Sequence, residues 1–243
     1  VPYSYVAAES FIDTNVKGTL NVLNSCRRHE TERVMVTSTS EVYGTAKYVP
    51  IDELHPRQGQ SPYAASKISA DALSESYHRS YGLPVTIARP FNTYGPRQSA
   101  RAVVADVIMQ VISGSEKLKL GNVLPTRDMV YVKDTARGII EASRCEALIG
   151  EEVNIATGSE AGILQIARMI CALCGADPEI EIEDERVRPD RSEVERLLGS
   201  SAKLEKYTGW KPETNLNDGL KMTIEWFMEN LQNLRRRNPG FQL

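Results

Sequence analysis

Apolar positions along the chain alternate between two spacings. Over residues 9–29, Ile12, Val16, Leu20 and Leu23 recur at helical intervals and predict an amphipathic helix. A compact apolar run of strand length follows over residues 33–38, Arg33-Val34-Met35-Val36-Thr37-Ser38. Residues 48–60 keep neither period and predict a loop over the site at the end of that strand. A second helix is predicted over 62–81, closed by Gly82, and a second strand over 84–89. Strand, helix, strand in this order predicts a parallel sheet with crossover helices.

Beyond Asn92 the rhythm changes. Helices are predicted over 102–113, 132–144 and 161–175, and short strands over 117–120, 152–156 and 179–183. A last helix over 218–236 carries Leu220, Ile224, Phe227, Leu231 and Leu234 at helical spacing. No repeat or low-complexity tract interrupts the chain, so two interwoven lobes are expected, not two units on a linker.

Composition sets limits. The 243 residues are 41% hydrophobic, enough for a real core in one large domain or two small ones. A net charge of −3 leaves no basic surface for nucleic acid. The run Arg235-Arg236-Arg237 suits a helix C-terminus better than a phosphate. No apolar stretch is long enough to span a bilayer. The cysteines Cys26, Cys145, Cys171 and Cys174 lack a second Cys or His pair to complete a metal site, and His29, His55 and His78 are scattered. Reduced thiols and a cytoplasmic setting are therefore expected.

The chemistry concentrates in two segments. Ser38, Thr39, Ser40 and Glu41 follow the first strand, and Tyr63-Ala64-Ala65-Ser66-Lys67 opens the second helix. Tyr63 and Lys67, four apart, share a helix face. A lysine ammonium beside a phenol favours the phenolate and would lower the Tyr pKa from about 10 toward the working pH. Tyr63 could then act as general base on a carbinol, with Thr39 hydrogen-bonded to the same oxygen. Tyr-x-x-x-Lys alone is weak evidence, because helices often carry it by chance. The strand-end hydroxyls, the spacing from Thr39 to Tyr63, and a second apolar run leading into Arg89-Pro90-Phe91-Asn92-Thr93-Tyr94-Gly95-Pro96-Arg97 strengthen it.

Together with Asp13-Thr14-Asn15-Val16-Lys17-Gly18-Thr19 and Gly209-Trp210-Lys211-Pro212, these segments resemble the extended short-chain dehydrogenase/reductases, the NAD-dependent nucleotide-sugar epimerases and dehydratases. The resemblance covers the whole chain. Thr39-Ser40-Glu41 resembles the 4,6-dehydratases, since 4-epimerases usually carry small residues where Glu41 sits. The segments 99–103, 125–128 and 188–194 look closest to the nucleotide-activated N-acetylglucosamine 4,6-dehydratases of legionaminic acid-type pathways. The implied fold is α/β, a Rossmann-like doubly wound parallel sheet, N-terminally truncated, with a smaller α/β substrate-binding lobe. Residues 1–92 and 128–156 would belong to the NAD-binding domain, and 93–127 and 157–243 to the lobe that takes the nucleotide sugar. Relatives begin with a strand and a Gly-x-x-Gly-x-x-Gly turn that cradles the NAD pyrophosphate. This chain opens at Val1-Pro2-Tyr3-Ser4-Tyr5, which looks like the loop before the family's fourth helix. A fragment lacking on the order of 80 residues, and binding NAD poorly by itself, is the expectation.

The resemblance also implies roles. Thr39, Ser40, Glu41, Tyr63 and Lys67 would be catalytic, and Ser38, Tyr63, Lys67 and Pro90 would contact NAD. Asn92, Arg101, Arg127 and Arg191 would contact substrate. Glucose-type dehydratases often hold Asp where Ser40 stands, so Glu41 would serve as both base and acid. Guanidinium forks match phosphate oxygens, which suits Arg127 and Arg191, although either could be a surface ion-pair partner. Glu41 could likewise be a solvated loop carboxylate. Asn15 would shape the active-site floor or simply face solvent. Relatives pair helices 9–29 and 62–81 with their copies, implying a homodimer. Three rivals stay open: a 4-epimerase, a decarboxylase and a non-catalytic nucleotide-sugar-binding remnant. Decarboxylases typically carry Arg three residues before the Tyr, where this chain has Gln60.

Overall fold

The computed structural model describes residues 1–183 and 189–237, and no side chain at position 190 or beyond 231. Arg188 and the side chains of Leu234 and Arg235-Arg236-Arg237 lie outside the described residues. The chain forms, in order, α1 (Ala8–Phe11), a π-helical segment (Ile12–Lys17), α2 (Gly18–Arg28), β1 (Val34–Thr37), α3 (Pro62–Tyr81), β2 (Val85–Pro90) and β3 (Asn92–Tyr94). Then come α4 (Val103–Ile112), β4 (Lys117–Leu120), β5 (Thr126–Tyr131), α5 (Val132–Arg144), β6 (Glu152–Ile155), β7 (Glu160–Gly162) and α6 (Ile163–Cys174). The last elements are β8 (Glu179–Ile182), β9 (Arg196–Leu197), α7 (Ala202–Thr208) and α8 (Leu216–Arg237). The mixed α/β architecture with parallel sheets agrees with the expected class.

The central sheet runs β1-β2-β6, all parallel, with Thr37 opposite Ala88 and Ala88 opposite Val153. Side chains alternate across a strand, so Val85 and Ile87 face one side, where they pack with Leu23 of α2 and Tyr77 of α3. Ala88 packs on the other side with Ala142 of α5, Val153, Ile155 and Trp210. The alternation matters for the site, because it sets Arg89 on the α3 side with Val85 and Ile87.

Helix α3 is punctuated as its sequence requires. Ser61 caps it by accepting the Ala64 N–H at 3.1 Å, and Pro62 occupies the first turn, where its missing N–H costs nothing. Gly82 ends it in the left-handed conformation, φ 67°.

A second sheet, β3-β5-β7 with β9 on β5, abuts a cluster in which α4, α6 and α8 pack around Val107, Ile108, Ile166, Ile170, Ile224 and Phe227. Strands β4 and β8 pair in parallel beside it.

Three expectations are corrected. The first helix is not uniformly α: it passes through the π segment, which re-aims Asn15. Strands β3, β5, β7 and β9 and helix α7 appear where none was predicted. The 48–60 loop is no free cover, because Ile51 is fully buried and exchanges backbone hydrogen bonds with Leu198 and Ser200 at 2.7 and 2.8 Å.

Helix α8 approaches the second sheet so closely that only glycine fits at 219. A Cβ there would lie 2.0 Å from the Tyr94 hydroxyl, and Tyr94 is itself 1% exposed. Gly219→Ala should destabilise the fold by about 1–3 kcal/mol through overpacking. Urea denaturation checks this; an unchanged midpoint would mean that α8 docks less tightly than described.

Candidate active site

Chain geometry brings the two chemical segments together at the carboxyl end of β1. Thr39 leaves the strand in extended conformation and caps a short 3-10 turn, Ser40–Tyr43, its Oγ1 accepting the Glu41 N–H at 3.2 Å. Ser38, Ser40 and Glu41 are buried, Glu41 at 8% exposure, so the solvated-carboxylate reading of Glu41 is excluded. Across from this turn, α3 presents Tyr63 and Lys67, both half-buried. The Lys67 ammonium donates to the Thr37 carbonyl at 2.6 Å, tying helix to strand end.

Tyr63 is supported from behind. The Phe11 ring meets it edge-on at 5.9 Å. Asn15 Nδ2 donates to Ser66 Oγ at 2.9 Å, and Ser66 donates to the Tyr63 carbonyl at 2.7 Å. Asn15 therefore docks the π segment onto the first turn of α3 and does not simply face solvent. π-Bulges recur at functional sites for this reason: they redirect one side chain without ending the helix.

The electrostatics depart from expectation. Tyr63 is held above its ordinary pKa, not below it. Burial is the largest cause, since it penalises the phenolate. A Thr39 hydrogen bond works downward, while the negative charges of Glu41 and Asp71 work upward. Burial also lowers the Lys67 pKa, opposed by Asp71 one turn further along α3. The Lys67 ammonium is directed at the Thr37 carbonyl, and burial of the phenol outweighs the effects that favour the phenolate.

The candidate substrate residues are placed differently from one another. Asn92 opens β3 with its Oδ1 buried and without a hydrogen-bond partner, a polar atom that asks for a ligand. Pro90 ends β2 two residues earlier. Arg127, on β5, is buried and lies 3.3 Å from Glu193, so it is a buried ion-pair partner and not a surface one. It lines a cleft of about 350 Å3 together with Thr157, Glu160, Pro212 and Asn215. Arg191 is exposed on the 189–196 strap, and Arg101 is exposed in the turn before α4.

Sequence reasoning missed several participants. Gln60, three residues before Tyr63, accepts the Thr45 N–H and donates to the carbonyls of Arg191 and Glu193 at 3.3 and 3.2 Å. Ser192 donates to the Gln60 carbonyl and bonds the Tyr5 hydroxyl. Position 60 thus staples the strap to the turn beside the site, and its side chain is not directed at a substrate carboxylate. Asp71 and Arg89 were also overlooked; Asp71 continues the Tyr63–Lys67 spacing by one more turn, which was the available signal. Among the described residues, no His/Cys/Asp/Glu cluster is arranged to hold a metal, and no helix is long and apolar enough to cross a membrane. All four cysteines are free.

A parallel sheet whose strand ends present a hydroxyl residue, a carboxylate and a helical Tyr-x-x-x-Lys pair defines the short-chain dehydrogenase/reductase class. Comparison with known proteins narrows it. Residues 1–223 match the family described as GDP-mannose 4,6 dehydratase. A dTDP-glucose 4,6-dehydratase from Streptomyces griseus is 33% identical over 228 residues, covering 93% of this chain and 68% of that protein. A putative UDP-glucose 4-epimerase from Methanocaldococcus jannaschii is 33% identical over 224 residues, covering 90% and 70%. The crystal structure of a dTDP-glucose 4,6-dehydratase from Bacillus anthracis in complex with NAD superposes with a TM-score of 0.84 at 29% identity, covering 91% of this chain and 70% of that one. The chain belongs to the GDP-mannose 4,6 dehydratase family, among the extended short-chain dehydrogenase/reductases that comprise nucleotide-sugar dehydratases and epimerases.

The Gln60 staple gives a direct test of the local geometry. Gln60→Ala leaves one N–H and two carbonyls of the turn and strap without their partner, which should cost about 1–3 kcal/mol. Chemical denaturation of the variant measures it. A loss below a few tenths would show that the strap is held by its other contacts, those of Ser192, Thr45 and Arg127.

Proposed function

We propose that this chain carries the chemistry of an NAD-dependent nucleotide-sugar 4,6-dehydratase, which converts an NDP-hexose to the NDP-4-keto-6-deoxyhexose. The observation that carries the reading is the buried Glu41 carboxylate, close enough to Tyr63 to raise its pKa. A plain alcohol oxidation has no use for a second, buried base. The dehydratase relatives support the same reaction class.

The residues present fit the nicotinamide end of NAD. A phenol, an ammonium and a serine hydroxyl sit at the carboxyl ends of parallel strands, where open α/β sheets take dinucleotides. Tyr63 and Lys67 would hold the ribose, with Ser38 and Pro90 beside the ring. When bound, NAD supplies the acceptor and later the donor of a hydride. The protein does the rest. Tyr63, with Thr39 on the same oxygen, takes the proton from the sugar 4-hydroxyl. The resulting 4-keto group acidifies C5–H. Glu41 removes that proton and passes it to the 6-hydroxyl, which leaves as water and leaves a C5–C6 double bond. The hydride would then be returned to C6, while Glu41, reprotonated from solvent, gives a proton to C5. Ser40 has no acidic proton to offer, so Glu41 serves both steps. On this reading residues 1–92 and 128–156 hold the cofactor, and 93–127 with 157–243 hold the nucleotide sugar. Asn92, Arg101, Arg127 and Arg191 are proposed for the sugar and diphosphate, with GDP- or UDP-N-acetylglucosamine as the substrate to try first.

Glu41→Gln keeps the shape but removes the base. Formation of 4-keto-6-deoxy product should fall about 100- to 10,000-fold, while the 4-keto hexose still hydroxylated at C6 accumulates because Tyr63, Thr39 and Lys67 are untouched. Mass spectrometry of reactions with GDP-, UDP- and dTDP-sugars reads both species. Turnover of the variant near the wild-type rate would remove Glu41 from the mechanism. Release of carbon dioxide from a nucleotide uronic acid by the wild type would make it a decarboxylase.

The reading also includes a homodimer through the helical stretches 9–29 and 62–81. Ile12 and Val22 are exposed on the helix that would face the copy. Sedimentation at micromolar concentration should give a dimer, and Val22→Glu should shift it to monomer; a wild-type monomer contradicts the proposal.

A further inference from the structure

Behind the candidate site lies an ion pair for which the proposed reaction has no direct use. Asp71 of α3 and Arg89 of β2 both have fully buried side chains. Arg89 Nε and Nη2 lie 3.2 and 3.1 Å from Asp71 Oδ2. The same guanidinium donates through Nη1 to the Tyr43 hydroxyl at 3.0 Å, and Tyr43 donates to Asn154 Oδ1 of β6 at 2.8 Å. Tyr43 closes the 3-10 turn that carries Glu41, and Asp71 lies on the helix that carries Tyr63. One guanidinium therefore grips both halves of the site and the sheet beneath them.

Burying two charges is a poor way to gain stability, because desolvation offsets most of their attraction. Fixing a register is the better-attested use of such a pair. The pair also sits where its charge is felt. Tyr63, Lys67 and Asp71 are spaced four apart on α3, so they form one stripe. Glu41 from the turn is the other charge that acts on Tyr63. The charges facing the pair are Glu152 from β6, 3.6 Å from Arg89, and Arg57 from the 45–61 loop, 3.4 Å from Glu152. From α1 and the π segment, Phe11 meets the Tyr63 ring and Asn15 meets Ser66. Burial raises the Asp71 pKa, and the Arg89 charge works against that rise most strongly, with Ser38 Oγ helping from nearby although it makes no hydrogen bond of ordinary geometry.

We propose that Arg89 and Asp71 are positioning residues: the pair locks the Glu41 turn against the Tyr63 helix, and Arg89 offsets part of the charge by which the anchoring carboxylate opposes the Tyr63 phenolate. The proposal rests on Tyr63 being the base of the reaction above, but its test needs no turnover. Asp71 raises the Tyr63 pKa, in line with a carboxylate facing a developing phenolate.

Tyrosinate absorbance is titrated in the full chain, with the matching Tyr63→Phe background subtracted to isolate one phenol. Asp71→Asn removes the carboxylate and unmasks the Arg89 cation, so the Tyr63 midpoint should fall by about half a pH unit or more, roughly threefold in ionisation. In Asp71→Asn/Arg89→Gln, which leaves no charge unpaired, the midpoint should return to near the wild-type value. A purely structural pair would give no such opposed response. Where Asp71→Asn does not fold, the double variant and amide exchange decide: exchange at Val42, Tyr43 and the first turn of α3 should quicken about tenfold, a loss of about 1.4 kcal/mol of local protection. Coincident titration of the single variant and the wild type, or wild-type exchange in the double variant, overturns the proposal. A nucleotide-sugar panel that shows no turnover, with these shifts intact, would instead count against the dehydratase reading alone.

Discussion

The parallel register of β1 and β2 is the constraint from which the site follows. It sets Thr37 level with Ala88, so β1 ends two residues short of β2 and both release their chains on the same edge. The first strand gives up Ser38, Thr39, Ser40 and Glu41 there, and the second gives up Pro90 and Asn92. A slip of one residue would invert every side chain on β2. Arg89 would then face α5, and Asp71 would be a buried carboxylate with no cation. The hydrophobic faces that fix the register, Val85 and Ile87 toward α2 and α3 and Ala88 toward α5, are thus what aim the polar groups.

Polar groups then tighten what packing has aligned. Lys67 ties α3 to Thr37, Asn15 ties the π segment to Ser66, and Gln60 ties the strap to the Thr45 backbone. Each joins the first two turns of α3, or the residues just before them, to a different part of the chain. The consequence is a phenol that is half-buried and held above its ordinary pKa. Such a group is a weak base until something positive or hydrogen-bonding arrives next to it. A bound cofactor carrying a cationic ring would be suited to that part, which couples proton removal to occupancy of the site.

Much of this was legible in the residues. The 62–81 helix, the 117–120 strand and the 132–144 helix fall on the predicted positions, because each has a clear period, and the first two also have a Gly or Pro at a boundary. Tyr63, Lys67 and Thr39 come together as their spacing implied. Strands β7 and β9, of three and two residues, are too short to show any period. Strand β5, Thr126–Tyr131, is buried nearly throughout, so the alternation that marks a half-exposed strand is missing. The tie between Arg89 and Asp71 depends on which face of β2 meets α3, and that is a tertiary fact. The expected drop in the Tyr63 pKa failed for a similar reason: sequence spacing places Lys67 beside Tyr63 but does not say how deeply the phenol is buried or that Glu41 and Asp71 lie close to it.

The central claim is that one buried carboxylate beside a tyrosine turns a carbinol oxidation into an elimination. Turnover of a nucleotide hexose in deuterated water tests it most directly. If Glu41 exchanges the C5 proton with solvent during loss of the 6-hydroxyl, the product will have lost one water and will carry deuterium at C5. A product that retains its 6-hydroxyl, inverted at C4 and without deuterium at C5, would contradict the account and make the protein an epimerase.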